Sequence, residues 1–110
     1  MLASVLITAI RAMTSDEFTP YRNSDTELLT AIGDALVALN SVHPEAFMLE
    51  DIPVDAPTAP TATTTAIDLD PVYKMAVVHY ACSQLFLQDS ESKGNLALSE
   101  KHMDRYKQEI

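Results

Sequence analysis

The sequence predicts an all-α fold: about four helices in two antiparallel hairpins, with a projecting loop or short irregular β-hairpin between helices 2 and 3. Three observations carry that expectation. Apolar residues recur at three- and four-residue spacing in four separate stretches, the pattern of helices with a buried face. Helix-start and helix-stop residues separate those stretches, notably Ser24-Asp25-Thr26-Glu27, Asp70-Pro71 and Lys93-Gly94. The 110 residues suffice for one domain, at the low end of the usual ~100–200. Within this single domain, residues 1–110, the Pro/Thr/Ala-rich segment 50–70 forms the projecting loop and 95–110 the C-terminal helix.

The first helix runs from Ala3 to Met13. Leu2, Leu6 (with Val5), Ala9 and Met13 share one face, spaced four, three and four. It stops near Thr14-Ser15-Asp16, whose side chains compete for backbone groups. Pro20 forbids helical continuation through the following connector. The stretch is too short to span a bilayer, carries Arg11 and has no basic leader. A protein made and kept in the cytoplasm is the expectation.

The second helix has the clearest start. Ser24 and Glu27 fit a capping box, in which the serine hydroxyl accepts from the Glu27 amide and the carboxylate reaches back. Asp25 and Glu27 also suit the positive end of the helix dipole. Leu28, Ile32, Leu36 (with Ala35) and Leu39 form a stripe continuing to Val42. Pro44 either ends this helix or opens a further turn through Glu45-Ala46-Phe47-Met48.

Residues 50–70 change character, with Pro53, Pro57, Pro60 and, at the edge, Pro71 around a Thr/Ala run. A structureless loop of about twenty residues is unusual inside a small domain. Ile52-Pro53-Val54 and Thr63-Thr64-Thr65-Ala66-Ile67 are candidates for the two strands of a hairpin, with Pro53 at an edge.

Asp70 as N-cap and Pro71 at the first helical position open the third helix. From Val72 to Leu87 it is apolar nearly all round, so it lies at the centre of the core or is covered by neighbouring subunits. After the polar break Asp89–Gly94, the fourth helix places Leu96, Met103, Tyr106 and Ile110 on one face.

The sequence is sparing with chemistry. Gly33 and Gly94 are its only glycines, so no phosphate cradle can be written. Cys82 is its only cysteine, which excludes an intramolecular disulfide or a Cys-rich zinc site. His79 and Cys82 stand three apart on one helix, but two ligands without a second pair do not make a metal site. A core histidine beside a buried thiol is the simpler reading. His102 with Glu100 and Asp104 reads as an exposed helical neighbourhood. Asp68 and Asp70 lack the further oxygens and the glycine of a calcium loop, and Asp70 already serves as a cap. Asp16/Glu17 and Glu50/Asp51 are adjacent carboxylates on loops. No set of nucleophile, base and orienting group can be assembled, so the expectation is a protein that is not an enzyme and holds no cofactor or metal.

Charge is more informative. The formal net charge is −9, the wrong sign for wrapping nucleic acid. Between Arg22 and Lys74 no basic residue occurs, while Asp25, Glu27, Asp34, Glu45, Glu50, Asp51, Asp55, Asp68 and Asp70 do. The last stretch reverses this, with Lys93, Lys101, Arg105 and Lys107 against Glu100, Asp104 and Glu109. Such a wall either repels nucleic acid or meets a basic partner.

Several segments stand in a recognisable order: Arg22-Asn23-Ser24-Asp25-Thr26-Glu27-Leu28-Leu29-Thr30-Ala31-Ile32-Gly33-Asp34-Ala35, then His43-Pro44-Glu45-Ala46-Phe47. Asp70-Pro71-Val72-Tyr73, Val77-Val78-x-Tyr80, Asp89-Ser90-Glu91-x-x-Gly94-Asn95 and His102-x-x-x-Tyr106 follow. Together they resemble the head-to-tail connector (adaptor, head-completion) proteins of tailed bacteriophages. Residues 50–69 depart from this resemblance, because members often carry a longer β-rich insertion there. The resemblance implies a structural virion protein in the neck, assembled in the host cytoplasm. It implies a homo-oligomeric ring, typically twelve-fold, that joins the portal to a tail or neck protein. DNA passes through such a ring without specific binding, and no membrane is involved. It implies portal docking by the C-terminal segment, for which Met103, Arg105, Tyr106, Lys107 and Ile110 are the candidates here. Glu45, Glu50, Asp51, Asp55 and Asp68 are candidates for an acidic channel wall or partner-facing surface. A small acidic DNA mimic that inhibits a nucleic-acid enzyme is the alternative.

Overall fold

The computed structural model describes residues 1–14, 23–49, 52–53, 60–65, 67, 69–88 and 93–110. Among these the fold is all-α. Its helices are α1 (Ala3–Met13), α2 (Asp25–Val42), α3 (Lys74–Gln88) and α4 (Lys93–Glu109), with short 3-10 turns at Pro44–Phe47 and Pro71–Tyr73. No described helix is long and apolar enough to cross a membrane.

Helix α3 packs against each of the other three helices, most extensively against α4 and then α2. Ala76, Val77, Val78, Ala81, Cys82, Leu85 and Phe86 are all buried. Central placement within one chain therefore accounts for its apolar circumference. The α2 stripe is as expected through Leu28, Ile32, Leu36 and Leu39, each fully buried. Burial of each side chain contributes roughly 1.5–3 kcal/mol. Val42 lies outside it, exposed beside the C-cap His43.

The buried face of α1 differs from the expected one. Ala3, Leu6, Ile7 and Ile10 point inward, whereas Leu2, Val5 and Met13 are exposed. Both stripes satisfy helical spacing, and the choice between them turns on Arg11. That residue is buried with the inward stripe, where Nη2 donates to Asp25 Oδ1 at 2.8 Å and Nη1 to the Asn23 carbonyl at 3.1 Å. A charge that marks solvent in a sequence here ties the end of α1 to the start of α2.

Ser24 caps α2 as expected, accepting from the Glu27 amide at 3.2 Å. Among the described contacts, the return half of the box is different: the Ser24 hydroxyl lies 3.4 Å from the Glu27 carboxylate, in position to donate to it. Pro44 takes the second of its two readings and opens a turn that buries Ala46 and Phe47. Asp70 accepts from the Val72 amide at 3.0 Å, capping the 3-10 turn from which α3 continues.

The segment between α2 and α3 pairs differently from the expected hairpin. Two-residue strands β1 (Met48–Leu49) and β2 (Ile52–Pro53) pair antiparallel, Leu49 opposite Ile52. Of the expected second strand, Thr63, Thr65 and Ile67 bond instead to the chain's first residues. Thr65 and Thr63 carbonyls accept from the Ala3 and Ser4 amides, both at 2.9 Å, and the Ile67 amide donates to Met1 O at 2.7 Å. The reason is local: Leu2 offers α1 no side-chain cap, so its first amides need acceptors from elsewhere. Ile67 and Leu69 then enter the core.

Candidate functional site

The docking candidates lie on α4, whose inward face is not the one its apolar residues trace. Ser99, His102 and Tyr106 are buried, spaced three and four, whereas Leu96 and Leu98 are exposed. Met103 and Ile110 are half-buried, and Arg105 and Lys107 are exposed. The five candidates are therefore divided. Arg105 and Lys107 are presented to solvent, while Tyr106 meets Tyr80 edge to face, with ring centres 5.1 Å apart. As a docking anchor Tyr106 is covered in this conformation, and Ile110 packs at the margin of the core. Their side chains serve the body first, because a large ring is stabilised more by an apolar neighbour than by water.

The seam between α3 and α4 is polar in its middle. Ser83 Oγ donates to the Ser99 carbonyl and Ser99 Oγ to the Ser83 carbonyl, both at 2.9 Å. One layer away, His79 Nδ1 and His102 Nδ1 are 3.0 Å apart, so one ring donates and the other accepts. The two rings meet edge to edge through these nitrogens, with centres 5.2 Å apart and planes 30° apart, and Phe86 stacks on His102 at 5.7 Å. Burial lowers the pKa of both histidines from 6.5, and the mutual field lowers that of His102 further. This cluster was missed in the sequence, where His102 reads as exposed and His79 as paired with Cys82. A signal exists: His79 and His102 stand equally far from the midpoint between residues 90 and 91, and Ser83 and Ser99 nearly so. A hairpin closed there brings each pair face to face.

Of the acidic-wall candidates, Glu45 is exposed, while Glu50, Asp51, Asp55 and Asp68 lie outside the described residues. Glu45 Oε1 is 2.6 Å from His43 Nδ1, and His43 Nε2 is 2.9 Å from the backbone oxygen of Ile110. The His43 ring also lies against Tyr73, with centres 5.6 Å apart. The Glu45 hydrogen bond raises the His43 pKa above 6.5. Glu45 itself is lowered, chiefly by its own backbone amide and then by His43. These contacts join the end of α2 to the start of α3 and the end of α4.

No group of three or more His, Cys, Asp or Glu residues among those described is placed to hold a metal ion. Cys82 is fully buried, and burial pushes its thiol up to about 12, far from a reactive thiolate. A groove of about 380 Å³ lies over Tyr80 and Gln84 between α2 and α3, rimmed by Asp34, Val37 and Ala38. Another, of about 320 Å³, lies among Thr14, Glu27, Phe86 and Gln88. Five of the residues lining the second groove, Thr14, Asn23, Glu27, Gln88 and Asn95, are polar. No family model, curated protein or solved structure matches the chain.

Proposed function

We propose that the chain is a structural connector of a tailed bacteriophage, one protomer of a ring joining the portal to the tail or neck around the DNA channel. The observation that carries this reading is the ordered signature described above, from Arg22 through Phe47 and from Asp70 through Tyr106. The structure supports it at the level of parts. Each half of the signature falls on a capped helix start, Ser24 for α2 and Asp70 for the turn into α3. Leu2 and, on α1, Val5, Thr8, Ala12 and Met13 are exposed and carry no charged side chain. Such a face suits contact between like protomers that otherwise repel at −9 each. Exposed Arg105 and Lys107 on α4 are the basic contacts offered to the portal, and the reaction chemistry of an enzyme has no part in the role.

The test is cosedimentation with purified portal rings. The chain pellets with them, and R105E/K107E reduces that binding at least tenfold while leaving the circular-dichroism spectrum unchanged. These two positions suit the test better than removal of 103–110, which also takes Tyr106 and Ile110 from the body. A wild-type chain that ignores portal rings but captures a DNA-binding enzyme would overturn the reading in favour of a DNA mimic. Three of the described carboxylates are engaged within the chain, which counts against a free acidic array: Asp25 pairs with Arg11, Glu45 with His43, and Asp70 caps a turn.

A further inference from the structure

The core of this chain is continuous through α1, α2, the turn at Pro44–Phe47, Ile67, Leu69 and α3. Among the described residues, α4 adds no fully buried member to that cluster; Ile110 packs only at its edge. What holds α4 is the seam of serine, histidine and tyrosine contacts described above. A helix held by an apolar face leaves only when the core opens. One held by a few directional bonds leaves when those bonds fail.

We propose that His79 and His102 form a proton-operated latch between α3 and α4, closed while one Nδ1 accepts from the other and released when both Nδ1 atoms carry protons. The geometry requires this asymmetry. At 3.0 Å the Nδ1 atoms share one hydrogen, which one ring donates and the other accepts. A first extra proton can sit on the far nitrogen of the donor ring without breaking the bond. A second must take the accepting lone pair, leaving two N–H groups pointed at each other and two cationic rings with centres 5.2 Å apart. Both residues are more than nine-tenths buried, at 9% and 8% exposure, and water is poorly placed to relieve the conflict.

Among the described residues, the charged groups acting on the pair belong to α4. Glu109 favours a charge on His79, Arg105 opposes it, and Lys101 opposes one on His102. From α3 the facing neighbours are Phe86 and Ser83, which are neutral. His43, at the far end of α4, titrates in the opposite sense, because its contact with the Ile110 oxygen is strengthened by protonation. Loss of α4 on acidification therefore cannot originate there. Release uncovers Tyr106 and the inner face of α4. The latch concerns α3 and α4 alone and stands whether or not the chain is a connector.

The sign follows from proton counting. Separated histidines take up protons as pH falls through 6.5, and the closed pair excludes at least one of them. The closed form therefore loses up to about tenfold in relative population for each pH unit below that value. Amide hydrogen exchange on the full chain, corrected for intrinsic rates between pH 7.5 and 4.5, reads this directly. The latch predicts that protection across Leu98–Arg105 falls about tenfold per unit below 6.5, while protection across Leu29–Leu36 holds. It is overturned by α4 protection that does not change, or by α2 losing protection in step with α4. Long-range ¹⁵N spectra at pH 7.5 give a second readout: one ring protonated at Nδ1 and the other at Nε2. Both rings protonated only at Nε2 would also overturn it. The variant H79N/H102N keeps an amide donor and acceptor near the Nδ1 positions and cannot titrate, so its α4 protection is flat with pH. A slope in this variant equal to the wild type counts against the histidines.

Discussion

Ser83 and Ser99 each bind the other's backbone: each hydroxyl donates to the partner's carbonyl at 2.9 Å, and the two oxygens approach to 3.1 Å. Reciprocal contact of this kind needs small side chains on both helices, so it sets the spacing of α3 and α4 as well as their register.

The two serines should respond differently to loss and to gain of bulk. S83A or S99A removes one buried hydrogen bond and should cost about 1 kcal/mol in urea unfolding. S83L forces the helices apart and should cost about 1–3 kcal/mol from overpacking, in addition to the lost bond. If S83L proves no worse than S83A, close approach at this layer is not what the serines provide.

Arg11 and Asp25 give an asymmetric pair. The Arg11 side chain is 8% exposed and that of Asp25 is 58% exposed. Removing the buried cation as R11M leaves a carboxylate that water can solvate, and should cost about 1 kcal/mol or less. Removing the carboxylate as D25A takes a charged acceptor from a buried guanidinium, and should cost about 1–3 kcal/mol. Denaturation midpoints in the reverse order would contradict this assignment of α1's inner face.

The His43–Glu45 contact has a pH window of its own. The His43 pKa is raised, so its contribution is fully present below 6.5 and is lost as pH rises through the folded value. The Glu45 pKa is lowered, so its contribution is present above 4.5 and is lost as pH falls through the folded value. In an NMR titration, E45Q should bring the His43 midpoint down towards 6.5. An unchanged midpoint would mean that the ring owes its basicity to Ile110 alone.

Cys82 should be inert in the native chain. With its thiol pushed up to about 12 and no exposed surface, it should resist a disulfide-exchange reagent at pH 8 and react at once in denaturant. Rapid native labelling would show that α3 is not the centre of the core.

The helices were legible where local chemistry and tertiary packing agree. Ser24, Asp70 and Pro71 announce their turns because a cap satisfies amides within a few residues of itself. The apolar girth of α3 left open a central position or cover by neighbouring subunits, and packing within the chain takes the first. Where packing was polar, the reading failed. Leu96 marks the outside of α4 and Ser99–His102 its inside, because α4 meets a serine and a histidine rather than a leucine. The inward stripe of α1 was missed as well, since it includes Arg11, whose partner Asp25 stands fourteen residues away. The bonding of Thr63, Thr65 and Ile67 was invisible too, since it depends on residues some sixty positions away at the start of α1.

The proposed role is tested most directly by where the chain resides. Gold-labelled antibody against it, applied to intact purified phage particles from the genome that encodes this sequence, locates it without any assumption about its partners. The account predicts label at the junction of head and tail, with a ring-shaped density there enclosing the DNA. Particles that lack the chain, or carry it only on the capsid shell or the tail tip, would contradict it.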